Sequence, residues 1–313
     1  MPEEKTAVKL EEISKQFGST KALDGISFEV KTGHVFGLLG PNGAGKTTAI
    51  RIMLNLIEKY DGKVEIFEKK FSEKTKNLFG YLPEERGLYK NEKAIDAAAY
   101  LGALKGISEK ESAKEAARLM KELNLLEYKN KKIFELSKGT QQKMQIISSI
   151  IHNPLLLVWD EPFSGLDPLS VKFVIETIKK QKENGKTIIL STHNMGIAEE
   201  ICDKVIVINK GRRVLYGTVK EIKERYSENS AIIELSEEDS KFENKAKKIS
   251  GIKKIKQKGK KEFELAFDME LKPEELLKEL VKNGFAIIKF EETSPSLESI
   301  FLSVVEAEQW MKN

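Results

Sequence analysis

Short apolar runs and amphipathic stretches alternate along the first 218 residues or so of the chain. Residues 35–39, 155–159, 187–190 and 205–208 are nearly continuous apolar runs, the pattern of strands covered on both faces. Helix-like stretches separate them, and this order predicts an α/β domain with a largely parallel core sheet. Residues 8–14 and 26–30 read as antiparallel strands at an edge. Residues 62–67 read as part of a hairpin after the turn Tyr60-Asp61-Gly62. Between 91 and 128 the chain is rich in Ala, Glu, Lys and Leu with no strand-like run, which predicts a helical insertion of two or more helices. Beyond Tyr226 the pattern restarts as strand 231–235, helix 241–249, strands 252–257 and 262–267, helix 273–283 and strand 285–291. That is the order of a split βαβ, ferredoxin-like α+β fold. Pro295 suits the first turn of a last helix. The polar stretch 221–229 marks the boundary, so the expected domains are 1–222, with a helical part at about 86–150, and 228–313.

Length and composition agree with this division. A chain of 313 residues, 40% hydrophobic and 33% charged, is long enough for two domains with real cores. The apolar run 155–159 is far short of the roughly 20 residues a bilayer-spanning helix needs, and the opening residues lack the basic and apolar regions of a signal peptide. The chain is therefore expected not to cross a membrane by itself. Its single cysteine, Cys202, cannot form an internal disulfide or a cysteine metal cluster and fits a reducing cytosol. The net charge of +4 is too small an imbalance to argue for nucleic acid.

The chemistry begins at Gly40-Pro41-Asn42-Gly43-Ala44-Gly45-Lys46-Thr47, which is GxxxxGK[ST] directly after an apolar strand and before a helical stretch, 48–56. In that context the glycines let successive backbone N–H groups turn inward around phosphate oxygens, and the helix aims its positive end at the same place. Lys46 would reach the β and γ phosphates and the Thr47 hydroxyl would ligate Mg²⁺, with Thr48 beside it. Asp160 and Glu161 follow the apolar run 155–159, as in a Walker B strand. Asp160 would hold Mg²⁺, and Glu161 would polarise the attacking water as general base.

Leu136-Ser137-Lys138-Gly139-Thr140-Gln141-Gln142, at the start of a helix expected over 141–152, is similar to the LSGGQ signature of the ATP-binding-cassette (ABC) ATPases. The resemblance implies an ABC-type P-loop domain with a mostly parallel core sheet, an antiparallel β subdomain and a helical subdomain. It also implies that Ser137, Gly139 and Gln141 contact the γ-phosphate of an ATP held by a partner subunit. Lys138 and Thr140 depart from the usual signature. Ser164-Gly165-Leu166-Asp167 resembles the family's D-loop, which makes Asp167 a nucleotide-site residue. His193 resembles the switch histidine on the γ-phosphate, and Phe17 the aromatic that stacks on adenine. In Tyr81-Leu82-Pro83-Glu84-Glu85-Arg86 the family usually has Gln where this chain has Glu84, whose carboxylate can still ligate Mg²⁺. This variant, the Ser-Lys-Gly signature and the appended domain together resemble a subfamily of sodium-efflux and antibiotic-exporter ATPases.

The resemblance implies an ATP-hydrolysing motor subunit that works as a homodimer or with a related ATPase chain, at the cytoplasmic face of the cell membrane, on a separate multi-span permease. An ABC-type ATPase acting on nucleic acid or ribosomes is the second reading. It draws on the run 241–260, with nine lysines and one glutamate. A single cassette with neither coiled-coil nor zinc insertions favours the transporter.

Overall fold

The computed structural model describes residues 5–85, 87–226, 229–268, 270–293 and 295–310. Two compact units divide between Val219 and Lys220. Sequence alone places the first boundary at 222; the start expected at 228 lies outside the described residues.

The first unit opens with β1 (Thr6–Phe17) and β2 (Thr20–Lys31), a hairpin turned through Gly18 at φ 55. Next come β3 (Val35–Leu39), α1 (Lys46–Met53), β4 (Asp61–Ile66) and β5 (Phe79–Leu82). The helical insertion contributes α2 (Ala94–Leu104), α3 (Glu109–Glu122) and α4 (Lys138–Ile150). The unit continues with β6 (Leu156–Asp160), α5 (Pro168–Glu183), β7 (Thr187–Thr192), α6 (Met195–Ile201), β8 (Lys204–Asn209) and β9 (Arg212–Thr218).

Two sheets result. The smaller is antiparallel, in the order β2-β1-β4, and the larger runs β5-β6-β7-β3-β8-β9, parallel except for β9. Every residue of β3, β6 and β7 is buried, which is why these strands read as unbroken apolar runs. Because β7 lies between β6 and β3, the carboxyl ends of all three emerge side by side. Open parallel sheets bind ligands at such a place. One apolar cluster ties Leu10, Ile26 and Phe28 of the small sheet to Ile50 and Ile52 of α1 and to Phe36, Val158 and Ile206 of the large one. Phe28 and Phe36 stack with ring centroids 5.0 Å apart.

The differences from the sequence expectations are local. The hairpin expected from the turn Tyr60-Asp61-Gly62 does not form; β4 pairs with β1, some fifty residues earlier, through Leu10↔Val64 and its neighbours. The helix expected to begin at 141 begins at Lys138, because the Ser137 hydroxyl accepts from the Thr140 amide and caps it there. The helix expected over 48–56 spans Lys46–Met53, and the chain leaves it through Asn55 at φ 56. β5 and β9 lie outside the strands expected from the sequence. β5 has four residues and includes Gly80, where a Cβ would fall 2.1 Å from the Ser149 carbonyl oxygen of α4.

The second unit opens within α7 (Val219–Arg225) and continues as β10 (Asn229–Leu235), α8 (Phe242–Ala246), β11 (Ile252–Gln257), β12 (Glu262–Phe267), α9 (Pro273–Lys282), β13 (Ile287–Thr293) and α10 (Leu297–Trp310). Its antiparallel sheet runs β11-β12-β10-β13, so β12 separates the two strands joined through α8, as a split βαβ requires. Phe242 anchors the core against Phe263 and Phe285, at centroid distances of 4.3 and 4.7 Å. α8 is shorter than the helix expected over 241–249. Pro295 precedes α10 rather than lying in its first turn; the Ser296 hydroxyl accepts from the Ser299 amide instead.

His152, just after α4, has its Nε2 2.8 Å from the Phe79 carbonyl oxygen, and Nδ1 is buried without a hydrogen-bond partner among the described residues. Burial pushes its pKa down to about 4, helped by Lys105 and Lys186 and opposed by the Phe79 carbonyl. The unfolded imidazole titrates near ~6.5, so between that pH and about 4 the unfolded chain binds more protons. Stability therefore falls as pH drops through this window, by on the order of 2 kcal/mol. Denaturant unfolding at pH 7 and pH 4.5 should show His152→Gln losing about that much less than wild type; equal losses would remove His152 from the acid response.

Candidate functional site

The chain leaves β3 at Leu39 into a loop that only glycine can close. Gly40 has φ 144 and Gly45 φ 112, and a Cβ at these positions would lie 2.1 Å from the Ile208 oxygen and 2.6 Å from the Ala22 oxygen. Gly43 also takes a positive φ, of 75. Pro41, Asn42 and Gly43 are exposed, whereas Ala44 is buried and its carbonyl accepts from the Gly211 amide at 3.0 Å. α1 starts immediately with Lys46, Thr47 and Thr48. It has no side-chain cap and no acidic residue in its first turn, so its leading N–H groups are left for an anion.

Lys46 is 5% exposed. Its ammonium donates to the carbonyls of Gly40 (2.8 Å) and Pro41 (3.2 Å) and stands 3.0 Å from Glu161 Oε1, an ion-pair contact without hydrogen-bond alignment. Asp160, the last residue of β6, is 1% exposed. Its Oδ1 accepts from the hydroxyls of Ser191 (2.5 Å) and Thr47 (3.3 Å). Its Oδ2 is buried with no partner among the described residues. Burial raises the Asp160 pKa, against the pull of the Ser191 and Thr47 hydrogen bonds. Glu161 takes a left-handed φ of 47, its amide donates to Ser191 Oγ at 2.8 Å, and its Oε2 lies 3.0 Å from Nδ1 of the half-exposed His193. Lys46, Thr47, Asp160, Glu161 and His193 thus form one connected group at the ends of β3, β6 and β7. Glu84 lines a cavity of about 400 Å³ together with Glu85, Gln142, Glu161 and Ser164. Arg86 of the same segment lies outside the described residues.

Ser191 is the site residue that sequence reasoning passed over. It holds the Asp160 carboxylate and the Glu161 amide with one hydroxyl. The available signal was its place at a core-strand end two residues before His193.

A second group gathers at the N-termini of α4 and α5. Ser137 caps α4, and the Ser137 and Thr140 hydroxyls are 2.9 Å apart. Gly139 is buried so closely that a Cβ would lie 2.4 Å from Ser170 Oγ and 3.3 Å from Asp167 Oδ2. Asp167 caps α5, accepting from the Ser170 amide (3.0 Å) and hydroxyl (2.7 Å), which hold its carboxyl below the usual range. The Gln141 side-chain amide donates to the carbonyls of Ile133 and Leu136 at 3.1 and 3.0 Å. Its nitrogen therefore braces the preceding turn and is not free for a ligand. Among the described residues no hydrogen bond or ion pair joins Ser137, Gly139 or Asp167 to the first group. Phe17 lies apart from both at the end of β1. It is 49% exposed under the Lys15 ammonium, which is 4.8 Å from the ring centroid, so it is no core aromatic.

A glycine loop between a buried parallel strand and a helix, a lysine at the helix start and two carboxylates at the end of another strand of the same sheet define a P-loop nucleoside triphosphatase. Residues 23–164 match the ABC transporter family, and residues 217–305 match the C-terminal domain of DrrA1-3-like ATP-binding proteins. An uncharacterized ABC transporter ATP-binding protein of Bacillus subtilis, YhaQ, is 39% identical over 95% of this chain and 98% of its own length. The linearmycin resistance ATP-binding protein LnrL of the same organism is 30% identical over 94% and 96%. The dimeric structure of MJ0796, a bacterial ABC transporter cassette, superposes with a TM-score of 0.63 at 25% identity, covering 68% of this chain and 98% of that one. The chain belongs to the ABC transporter ATP-binding proteins and is an ABC-type ATPase related to antibiotic-resistance proteins.

Removing the Ser191 hydroxyl strands a buried amide and carboxylate. Ser191→Ala should lose on the order of 1–3 kcal/mol, read as a lowered thermal midpoint, with Ser191→Thr losing less. Unchanged melting of Ser191→Ala would show that the hydroxyl bears little on the Asp160–Glu161 turn.

Proposed function

We propose that this chain is the ATP-driven motor of an exporter, and that Glu161 is its general base. The observation that carries the reading is the connected group Lys46–Glu161–His193 and Thr47–Asp160–Ser191. In it each charged side chain has a complementary task around a bound triphosphate. The free N–H groups of the glycine loop and α1 take the phosphate oxygens. An arriving phosphate competes with Glu161 for Lys46, so the ammonium turns to the anion and the carboxylate is released to accept a proton from the attacking water. His193 donates to the γ-phosphate from beside Glu161. Phe17, exposed and already attracting a cation, stacks on adenine.

Mg²⁺ fits the same residues. Among the described residues no group of three or more His, Cys, Asp or Glu side chains could hold a metal alone, but Mg²⁺ characteristically takes one or two carboxylates plus phosphate and water. The buried, unpartnered Asp160 Oδ2 and the Thr47 hydroxyl beside Oδ1 are suitable hard ligands, with Glu84 as a further oxygen. The ion would neutralise charge on the β and γ oxygens.

Ser137 and Gly139 form a second anion site at the start of α4, unconnected to the P-loop of their own chain. They complete the site of a second copy, so that two chains close on two ATP molecules, with Asp167 beside the joint. No helix among the described residues is long and apolar enough to cross a membrane. Because the chain belongs to the ABC transporter ATP-binding proteins, we assign transport to a separate membrane permease, at whose cytoplasmic side this chain acts peripherally. The likeness to LnrL supports export.

Glu161→Gln should bind ATP as wild type does, lose hydrolysis by about 10²–10⁴-fold, and accumulate as an ATP-dependent dimer in light scattering. Turnover at the wild-type rate would exclude Glu161 as the base.

A further inference from the structure

α4 buries amides where a helix packed on a sheet ordinarily buries hydrocarbon. Gln142 and Gln145 are each 5% exposed and share the helix with the buried Met144, Ile146 and Ile147. Three positions apart, they lie on one face. A buried amide without partners costs on the order of 1–3 kcal/mol, so such residues are expected to be bonded, and both reach out of their own helix. Gln142 Nε2 donates to the Pro162 carbonyl at 3.1 Å, and Gln145 Nε2 to the Glu85 carbonyl at 3.3 Å. These are the residues directly after Glu161 and Glu84. Neither carbonyl belongs to a strand or helix, so each segment gains a fixed point from α4. Gln142 also lines the cavity shared by Glu84, Glu85, Glu161 and Ser164.

We propose that Gln142 and Gln145 are positioning residues that clamp the Glu161 segment and the Glu84 segment to α4, whose N-terminus carries Ser137 and Gly139, so that the three shift as one body when a second copy closes. The proposal rests on the reading of Glu161 as the base. An α-helix moves as a rigid rod on this scale, and a displacement of Ser137 is delivered one and two turns later at Pro162 and Glu85. The Glu161 segment is susceptible because Pro162 has no N–H and Glu161 holds a left-handed φ. Its carbonyl contact with Gln142 therefore helps to set where the carboxylate stands. A misplacement of about 1 Å can cost on the order of 10²-fold in rate. A packing role alone would be met by any apolar side chain of similar volume and would not require two donors aimed at two loops.

The test uses the full chain with Gln142→Met, Gln145→Met and the double variant. Methionine keeps the length and volume and removes the donor. Gln142→Asn, which keeps the amide but is one methylene short, stands in if Gln142→Met fails to fold. ATP affinity is measured with a fluorescent nucleotide, folded fraction by circular dichroism, and kcat and KM by phosphate release. Each single variant should bind ATP within about twofold of wild type, keep its KM, and lose about tenfold or more in kcat per folded molecule. The double variant should fall no further than the worse single, because releasing either clamp already uncouples the body. A kcat per folded molecule within about twofold of wild type, or a double loss equal to the product of the singles, overturns the proposal. Glu161→Gln assayed alongside separates the two readings: if it turns over normally, the base assignment fails, and if it is inactive while Gln142→Met is normal, only the clamp fails.

Discussion

A lysine and two carboxylates are buried together where β3, β6 and β7 end, with Lys46 3.0 Å from Glu161 and Asp160 bonded to Ser191 and Thr47. Removing such charges from water is costly unless each is paired and hydrogen-bonded, and the surrounding structure supplies partners for all but Asp160 Oδ2 and Glu161 Oε1, which have no hydrogen bond among the described residues. The parallel order β6-β7-β3 brings the three strand ends into one row. The glycine loop bends back far enough for its own carbonyls to solvate the ammonium. A strand-end hydroxyl secures both the Asp160 side chain and the Glu161 backbone. The resulting arrangement is poised: Lys46 is held by groups that a polyphosphate can replace, and Glu161 is held by the group that the polyphosphate would take away.

Much of this was legible in the sequence because it is local. β3, β6 and β7 announce themselves by burial on both faces, and the phosphate loop by glycines whose backbone angles and close approaches admit no side chain. What was not legible depends on register. Ser191 faces Asp160 because Asp160 and Ser191 are paired across β6 and β7, and nothing in Ser191-Thr192-His193 states that pairing. β4 finds β1 rather than a sequential partner for the same reason. β5 leaves little mark on the sequence because Gly80, which α4 requires for its approach, breaks a run of only four residues. The start of α4 moved to Lys138 because the Ser137 cap outweighs the ambiguous Lys-Gly-Thr that follows.

Part of the lysine-rich run has a structural place in the second unit. Lys253, Lys254 and Lys256 lie on β11, an outer strand of the four-stranded sheet. Lys253 pairs with Asp268 and Lys258 with Glu264, both at 2.9 Å. Exposed strand edges attract further strands, and lysines along an edge keep them away. The strand part of the run thus suits a sheet edge, in a unit whose core rests on Phe242, Phe263 and Phe285.

The account stands on the separation of two groups in one chain. The phosphate loop and its carboxylates form one, Ser137 with Gly139 and Asp167 the other, and the proposed mechanism has them meet across two copies for ATP turnover. The most direct test mixes two chains that are each inactive, Lys46→Ala and Ser137→Arg. In a mixed two-fold dimer one site is damaged twice and the other is intact. The mixture is therefore predicted to recover ATP hydrolysis, up to about a quarter of the wild-type rate for random pairing. A mixture no more active than its two components would contradict the account.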